Sequence, residues 1–185
     1  MIFNFFGPKS PSGNFGQFQG NVQCKWVDVD HPTIKDNNPE RQVTLTHPFS
    51  YQGPDGYLWT VPAESTVDGA SIPILFWKIV GSPYVGNYRR ASVIHDHFCY
   101  IWNEHSKTAK DVHKMFYFAC RAGQTSPLKA AVMYWAICWF GPHWQDGIKY
   151  RSLAWYYITT PWRMFQPPQN PPPVSMASSI DSNQQ

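Results

Sequence analysis

The stretch RQVTLTHPFSYQGPDGYLWTVP, residues 41–62, decides the fold. In its first half Val43, Leu45, Phe49 and Tyr51 alternate with polar residues, which puts them on one face of an extended chain. GPDG, residues 53–56, is turn chemistry. In the second half Tyr57, Trp59 and Val61 share a face. Two alternating runs joined by such a turn read as an antiparallel β-hairpin. Pro48 has no N–H to give a ladder, so it marks an edge or a bulge in the first strand.

Toward the N-terminus, NVQCKWVDVD (21–30) is a further candidate strand, and HPTIKDNNPE is turn-rich. Residues 1–20, rich in Gly, Pro, Asn and Phe, have no period and read as an irregular arm whose phenylalanines dock on the body. Toward the C-terminus, residues 62–90 form a long connection punctuated by Gly and Pro, with a short helix starting at Pro73 and Ser71 as its N-cap. A connection of that length inside a compact domain is uncommon and is often functional.

Three helices follow. The first spans about 88–102, with Ala91, Ile94, Phe98 and Ile101 in an apolar stripe that also holds His95. The second spans about 107–122. Thr108 and Asp111 have the spacing of a capping box, Gly123 suits the C-terminal cap, and Val112, Met115, Phe116 and Ala119 face inward. The third has Ser126 as N-cap and Pro127 at N1 and ends before Gly141-Pro142. Its body, LKAAVMYWAICWF, carries a single charge and reads as the central core helix, the other reading being a surface that meets lipid or a partner. Residues 145–165 suggest one more helix around SLAWYYI, and 166–185 is a Pro-rich, then Ser-, Asn- and Gln-rich tail that cannot bury a core. The expectation is an α+β protein: an N-terminal antiparallel β-hairpin or small sheet packed on a C-terminal bundle of three to four helices, with one globular domain over 21–165.

Composition narrows the function classes. A chain of 185 residues can bury a sizeable core. The net charge of +3 comes without a cluster of Lys and Arg, which argues against nucleic acid as a partner. Aromatic residues make up 17% of the chain, including nine Trp, and would serve a core, a membrane-surface contact or a protein partner. MIFNFFGPKSPSG has no basic start and its apolar run stops at Gly7-Pro8, so it is not a signal peptide. No apolar run reaches the roughly 20 residues of a bilayer span. A cytoplasmic chain is expected, with export by a non-classical route still open. Cys24, Cys99, Cys120 and Cys138 form no C-x-x-C pair and read as small buried hydrophobes.

The chemistry concentrates in VIHDHFCY, residues 93–100. A carboxylate beside His95 in a core stripe is costly unless it is paired, hydrogen-bonded or bound to an ion. The bland reading is a satisfied core histidine with Asp96 salt-bridged to Arg89 or Arg90. The functional reading adds Asp68, in the turn TVDGASIP, and Asp111 on the second helix, each with its own bland reading as an Asx turn and a helix cap. One His and three carboxylates, with Asp96 and Asp68 as ligands, suit calcium, magnesium or a non-thiolate zinc, and a neutral His95 beside the ion would act as base on water. His97 and His113 are further candidate ligands. Ser71 reads as a helix N-cap, or as a nucleophile or substrate contact beside His95, although it lacks the G-x-S-x-G elbow.

These motifs resemble a known family. The hairpin ending in VP, TVDGASIP, FWKIVG, GNYRRA, VIHDHFCY, DVHKMFYFA and FGPHW, in this order, look like the bacterial and phage domain-of-unknown-function family numbered 1353. The resemblance covers about half the chain. It implies a shared fold and importance for Asp68, His95, Asp96 and Asp111, and it brings no activity with it. The family pattern has a Tyr three positions after the Asp; here Cys99 stands there and Tyr100 follows, as a candidate substrate contact. At the level of a dyad, His95, Asp96 and Asp111 are also similar in order to calcium-dependent secreted phospholipases, with DGAS where the calcium loop would stand. The glycine-rich loop and disulfide ladder of those enzymes are missing, and helix geometry sets His95 level with residues 115–117 rather than with Asp111. Two functions follow as expectations: a metal-assisted hydrolase or effector acting on an envelope substrate, a lipid ester or a cell-wall bond; or a non-catalytic structural or interaction module with a buried His-Asp network.

Overall fold

The computed structural model describes residues 7–10, 13–27, 42–68, 86–145 and 148–151. The chain runs β1 (Gln17–Gln19), β2 (Cys24–Trp26), β3 (Val43–Leu45), β4 (Phe49–Gln52), β5 (Leu58–Val61), β6 (Thr66–Val67), α1 (Arg89–Tyr100), α2 (Ala109–Ala122), α3 (Pro127–Phe140), β7 (Pro142–Gln145) and β8 (Ile148–Arg151). It is an α+β fold of small antiparallel sheets followed by three helices.

The hairpin is β4–β5, with Phe49 opposite Val61 and Tyr51 opposite Trp59. The alternating run before it does not continue as one strand. It breaks at Thr46–Pro48, so β3 joins a sheet ordered β2-β3-β6 while β4 joins β1-β4-β5. Pro48 therefore marks neither an edge nor a bulge but the crossing from one sheet to the next. Val43, Leu45, Phe49 and Tyr51 are all buried in both sheets' shared core.

The arm also contributes more than docked phenylalanines. Gln17–Gln19 pair with β4, Phe18 stacks on Phe49 with centroids 5.6 Å apart, and the Tyr51 hydroxyl donates to the Phe15 carbonyl. Gly16 makes this close approach possible, since its φ is +80° and a Cβ there would run into the Gln52 carbonyl.

α2 and α3 begin and end where the capping signals put them, and α1, which has no side-chain cap, is shorter than the expected 88–102. Thr108 and Asp111 close a full capping box on α2, Ser126 caps α3, and Gly123 follows α2. The order of packing differs from expectation. α2 is the helix that packs against both of the others, and α3 lies outside it. Ala130, Ala131 and Ala136 are buried, while Leu128 and Trp139 stay 59% and 52% exposed. The apolar body of α3 is thus half core and half surface. α1 packs on α2 and on β5 and β6, with Trp59 meeting Phe98 edge to face at 4.9 Å. Residues 142–145 pair antiparallel with 148–151; residues 152–165, including SLAWYYI and the helix expected there, lie outside the described residues, as do Ser71 and the short helix expected from Pro73.

Candidate functional site

Every residue from Ala91 to Cys99 is buried. The expected apolar stripe on α1 is therefore a helix enclosed on all sides, and its polar residues go inside with the rest. Among the 185 residues, five of the seven histidines, His95, His97, His105, His113 and His143, gather around the C-terminal half of α1, the start of α2 and β7.

His95 is 1% exposed. Its Nε2 lies 3.0 Å from Nδ1 of His113 on α2. Ring nitrogens stand about 1.1 Å from the ring centre, so an end-to-end bond of this length sets the centroids about 5.2 Å apart. The observed separation is 5.2 Å, which makes this a direct hydrogen bond with nothing between the rings. Asp96 places Oδ1 3.7 Å from Nδ1 of His95. A carboxylate on that side favours the proton on Nδ1 of His95, while the Pro142 backbone favours a proton on the far nitrogen of His113, so which ring donates follows the tautomer the pair adopts. Cys99 puts its sulfur 3.7 and 3.8 Å from the two nitrogens of His95, against the edge between them rather than in line with either.

Burial sets the charge state of this group. It pushes His95 down to about 3 and His97 down to about 4, the latter helped by His105. It pushes His113 down to about 2, with further lowering from His95 and His143 and a small opposing effect of the Pro142 backbone. These imidazoles are neutral at neutral pH. Nε2 of His113 is buried and makes no hydrogen bond of full geometry, and the Pro142 backbone acts on the ring as a hydrogen-bonding group that opposes the lowering.

The surroundings are pinned by backbone carbonyls. His105 bonds the Phe98 carbonyl through Nε2 at 2.9 Å, and its Nδ1 accepts from the Lys107 N–H. Trp144 donates to the Lys107 carbonyl at 3.0 Å, and Lys149 to the Cys99 carbonyl. The β7–β8 hairpin thus fastens the α1–α2 connection.

Of the residues singled out from sequence, His95 and Asp96 are adjacent in this buried group. Asp68 directly follows β6, the strand that packs on α1. Ser71 lies outside the described residues. Tyr100 ends α1 and is 57% exposed. Asp111 is on the outside of α2, its carboxylate held by the N–H and hydroxyl of Thr108 at 3.1 and 2.7 Å. Those bonds, with Lys107 and Lys114 nearby, hold it below the usual carboxylate range against the opposing effect of burial, which is the largest single influence on it. It lines a cavity of about 140 Å³ with Tyr51, Trp59, Lys107, Lys114 and Phe118 rather than standing beside His95. The partner His95 does take, His113, was legible only as a spare ligand. Its signal was its place three residues before Phe116 on the inner face of α2, within about one turn of residues 115–117, where His95 should meet that helix. Among the described residues, no group of three or more His, Cys, Asp and Glu side chains is arranged to hold a metal ion.

Small antiparallel sheets on three helices, with a neutral histidine pair sealed between the first two, define the class of domain. The chain belongs to the family described as "Protein of unknown function (DUF1353)", whose model matches residues 43–137. It is similar to two proteins of Sinorhizobium fredii (strain NBRC 101917 / NGR234). One, "Uncharacterized protein y4jT", is 42% identical over 130 residues, 70% of this chain and 35% of that protein. The other, "Uncharacterized protein y4iH", is 40% identical over 96 residues, 52% of this chain and 39% of that protein. The chain therefore spans little more than a third of the length of these relatives. No solved structure matches.

Proposed function

We propose that this domain is a non-catalytic structural or interaction module, in which the His-Asp group fixes how α1 and α2 pack and the outer aromatic surface meets a protein partner. One observation carries the reading: His95 is 1% exposed and spends Nε2 on His113. A general base must reach its substrate proton and works best with a pKa near the operating pH. An imidazole held near 3 inside the core meets neither condition. The test is hydrolysis of lipid esters and peptidoglycan, with and without added calcium or zinc, by wild type and His95→Gln. The module reading expects no turnover by either protein and a lower melting temperature for the variant. Turnover by wild type that His95→Gln abolishes without loss of fold would overturn it.

Two observations favour a second reading, a metal-assisted hydrolase built on His95, Asp96 and Asp68 with Asp111 in support, acting on a lipid ester or a cell-wall bond. Asp68 follows the strand that packs on α1, and Nε2 of His113 is buried without a hydrogen bond of full geometry. Metal content by mass spectrometry separates the readings. One equivalent of calcium or zinc in wild type, lost in Asp96→Asn but kept in His143→Gln, would favour the hydrolase.

A further inference from the structure

One face of α2 meets the turn end of the β4–β5 hairpin around the cavity of about 140 Å³. Asp111, Lys114, Met115 and Phe118 recur at three- and four-residue spacing, which sets them on that face of the helix. Tyr51 and Trp59, directly opposed in register, come from the hairpin, with Gly53, Pro54 and Asp55 of its turn. Lys107 closes the ring from just before the helix. Tyr51, Trp59, Met115 and Phe118 are buried and make an apolar floor. A cavity of about 150 Å³ holds a benzene ring, so this one suits an aromatic body of that size.

The polar groups around this floor include donors with nothing to bind. Trp59 is 3% exposed, its ring held edge to face by Tyr57 and Phe98, each with centroids 4.9 Å away. Among the described residues its indole N–H has no hydrogen-bond acceptor, whereas a buried indole N–H usually finds one. The indole nitrogen lies at the cavity wall, 3.5 Å from where a Cβ on Gly53 would stand. Lys107, with its ammonium 3.6 Å from the Tyr57 ring centroid, and Lys114 add two positive charges. Among the described residues neither forms an ion pair. The two carboxylates at the edge already serve the chain itself. Asp111 accepts from the N–H and hydroxyl of Thr108, and Asp55 from the N–H of Tyr57. What the cavity lacks is an acceptor with negative charge.

From this arrangement we infer that the cavity between α2 and the β4–β5 turn binds a small aromatic carboxylate. Its ring rests on Tyr51, Trp59, Met115 and Phe118, and its carboxylate turns to Lys107, Lys114 and the Trp59 N–H. Charge-assisted hydrogen bonds of this kind are stronger than neutral ones, so the anion is preferred over an uncharged analogue. His95 and Asp96 do not line the cavity, so the inference holds whether or not the His-Asp group is catalytic.

The experiment is calorimetric titration of sodium benzoate into full-length wild type, Lys107→Gln, Lys114→Gln and Trp59→Phe, with a thermal melt of each protein. Benzyl alcohol and benzylamine, the same ring without charge and with the opposite charge, are titrated into wild type. The expected result is one benzoate per chain with Kd below about 1 mM, a reasonable affinity for a ligand of this size. Each variant should bind benzoate roughly fivefold more weakly or worse, and benzyl alcohol and benzylamine should bind wild type more weakly by a similar factor or not at all. Should Trp59→Phe fail to fold, Lys114→Gln, altered at an exposed side chain, and Lys107→Gln decide. Absence of benzoate binding by wild type would overturn the inference. Tighter binding of benzylamine than of benzoate would overturn it too, by showing that Asp55 and Asp111 set the sign of the site. Unchanged benzoate affinity in both lysine variants would overturn it by placing the ligand elsewhere.

Discussion

His95 on α1 and His113 on α2 are joined ring to ring across the interface of the two helices, 3.0 Å between nitrogens. Neither has water to fall back on. Removing one ring strands a polar nitrogen of the other in the core, which costs about 1–3 kcal/mol, and leaves a cavity besides. His95→Leu and His113→Leu are each expected to lower stability by about 2–4 kcal/mol. The double variant should lose less than the sum, by about 1–3 kcal/mol, because no stranded partner remains. Urea unfolding of the four proteins measures this. Additive losses would show that the bond contributes nothing beyond the two rings' separate packing.

Acid should loosen the same region through His97, which burial, aided by His105, pushes down to about 4 in the folded protein, against about 6.5 in the unfolded chain. Above pH 6.5 the ring is neutral in both states and pH has no leverage. Between about 6.5 and 4 the unfolded chain takes up a proton that the folded one refuses, so stability falls as pH falls. Below about 4 both states are protonated and the loss levels off. In His97→Gln the pH dependence of the unfolding free energy over that window should be shallower by close to one proton. An unchanged slope would mean that His97 is charged in the folded protein.

At the start of α2, Thr108 and Asp111 satisfy each other's backbone N–H groups. Thr108→Ala should cost about 1 kcal/mol, within the range of lost N-caps. Asp111→Asn keeps the side chain's shape and an acceptor oxygen while removing the charge, so it should cost less than Thr108→Ala. If Asp111 has a further role in catalysis, Asp111→Asn would abolish an activity while leaving the melting temperature nearly unchanged. Circular dichroism melts of both variants, run beside the hydrolysis assays, read the two effects separately.

The helices were legible because their signals are local. Thr108 with Asp111, Ser126 with Pro127, and Gly123 announce ends without reference to the rest of the fold. The β4–β5 hairpin was legible for the same reason, through GPDG between two alternating runs. What sequence could not show depends on pairings distant in the chain. The break at Pro48 looks like a defect in one strand, because alternation continues through it, and only partners as remote as Trp26 and Phe18 reveal two sheets. β7–β8 carries few branched residues and was hidden beside the aromatic run that follows. Without that hairpin neither His143 nor Trp144 could be placed next to His113. Asp111 stood out as the third member of a site because a carboxylate near a histidine is a familiar pattern. The structure shows it serving the helix end, while the quieter His113 meets His95.

α3 offers a contrast within one helix. Met133 is fully buried, whereas Trp139, two turns on, is 52% exposed and rests against Trp135 and Phe140. Met133→Ala should lower stability by about 2–5 kcal/mol, the cost of a large-to-small change in a packed core. Trp139→Ser removes a larger side chain, yet most of its surface already meets water, so its effect should stay within about 0.5 kcal/mol. If the outer face of α3 is where a protein partner binds, Trp139→Ser should weaken that association while leaving the unfolding curve in place, since exposed aromatic anchors carry a large share of binding energy. Denaturant midpoints for both variants, with sedimentation velocity to follow self-association, decide the matter. A large drop in the midpoint for Trp139→Ser would mean that this tryptophan belongs to the core of the folded chain, and that the outer face of α3 is covered by the protein itself.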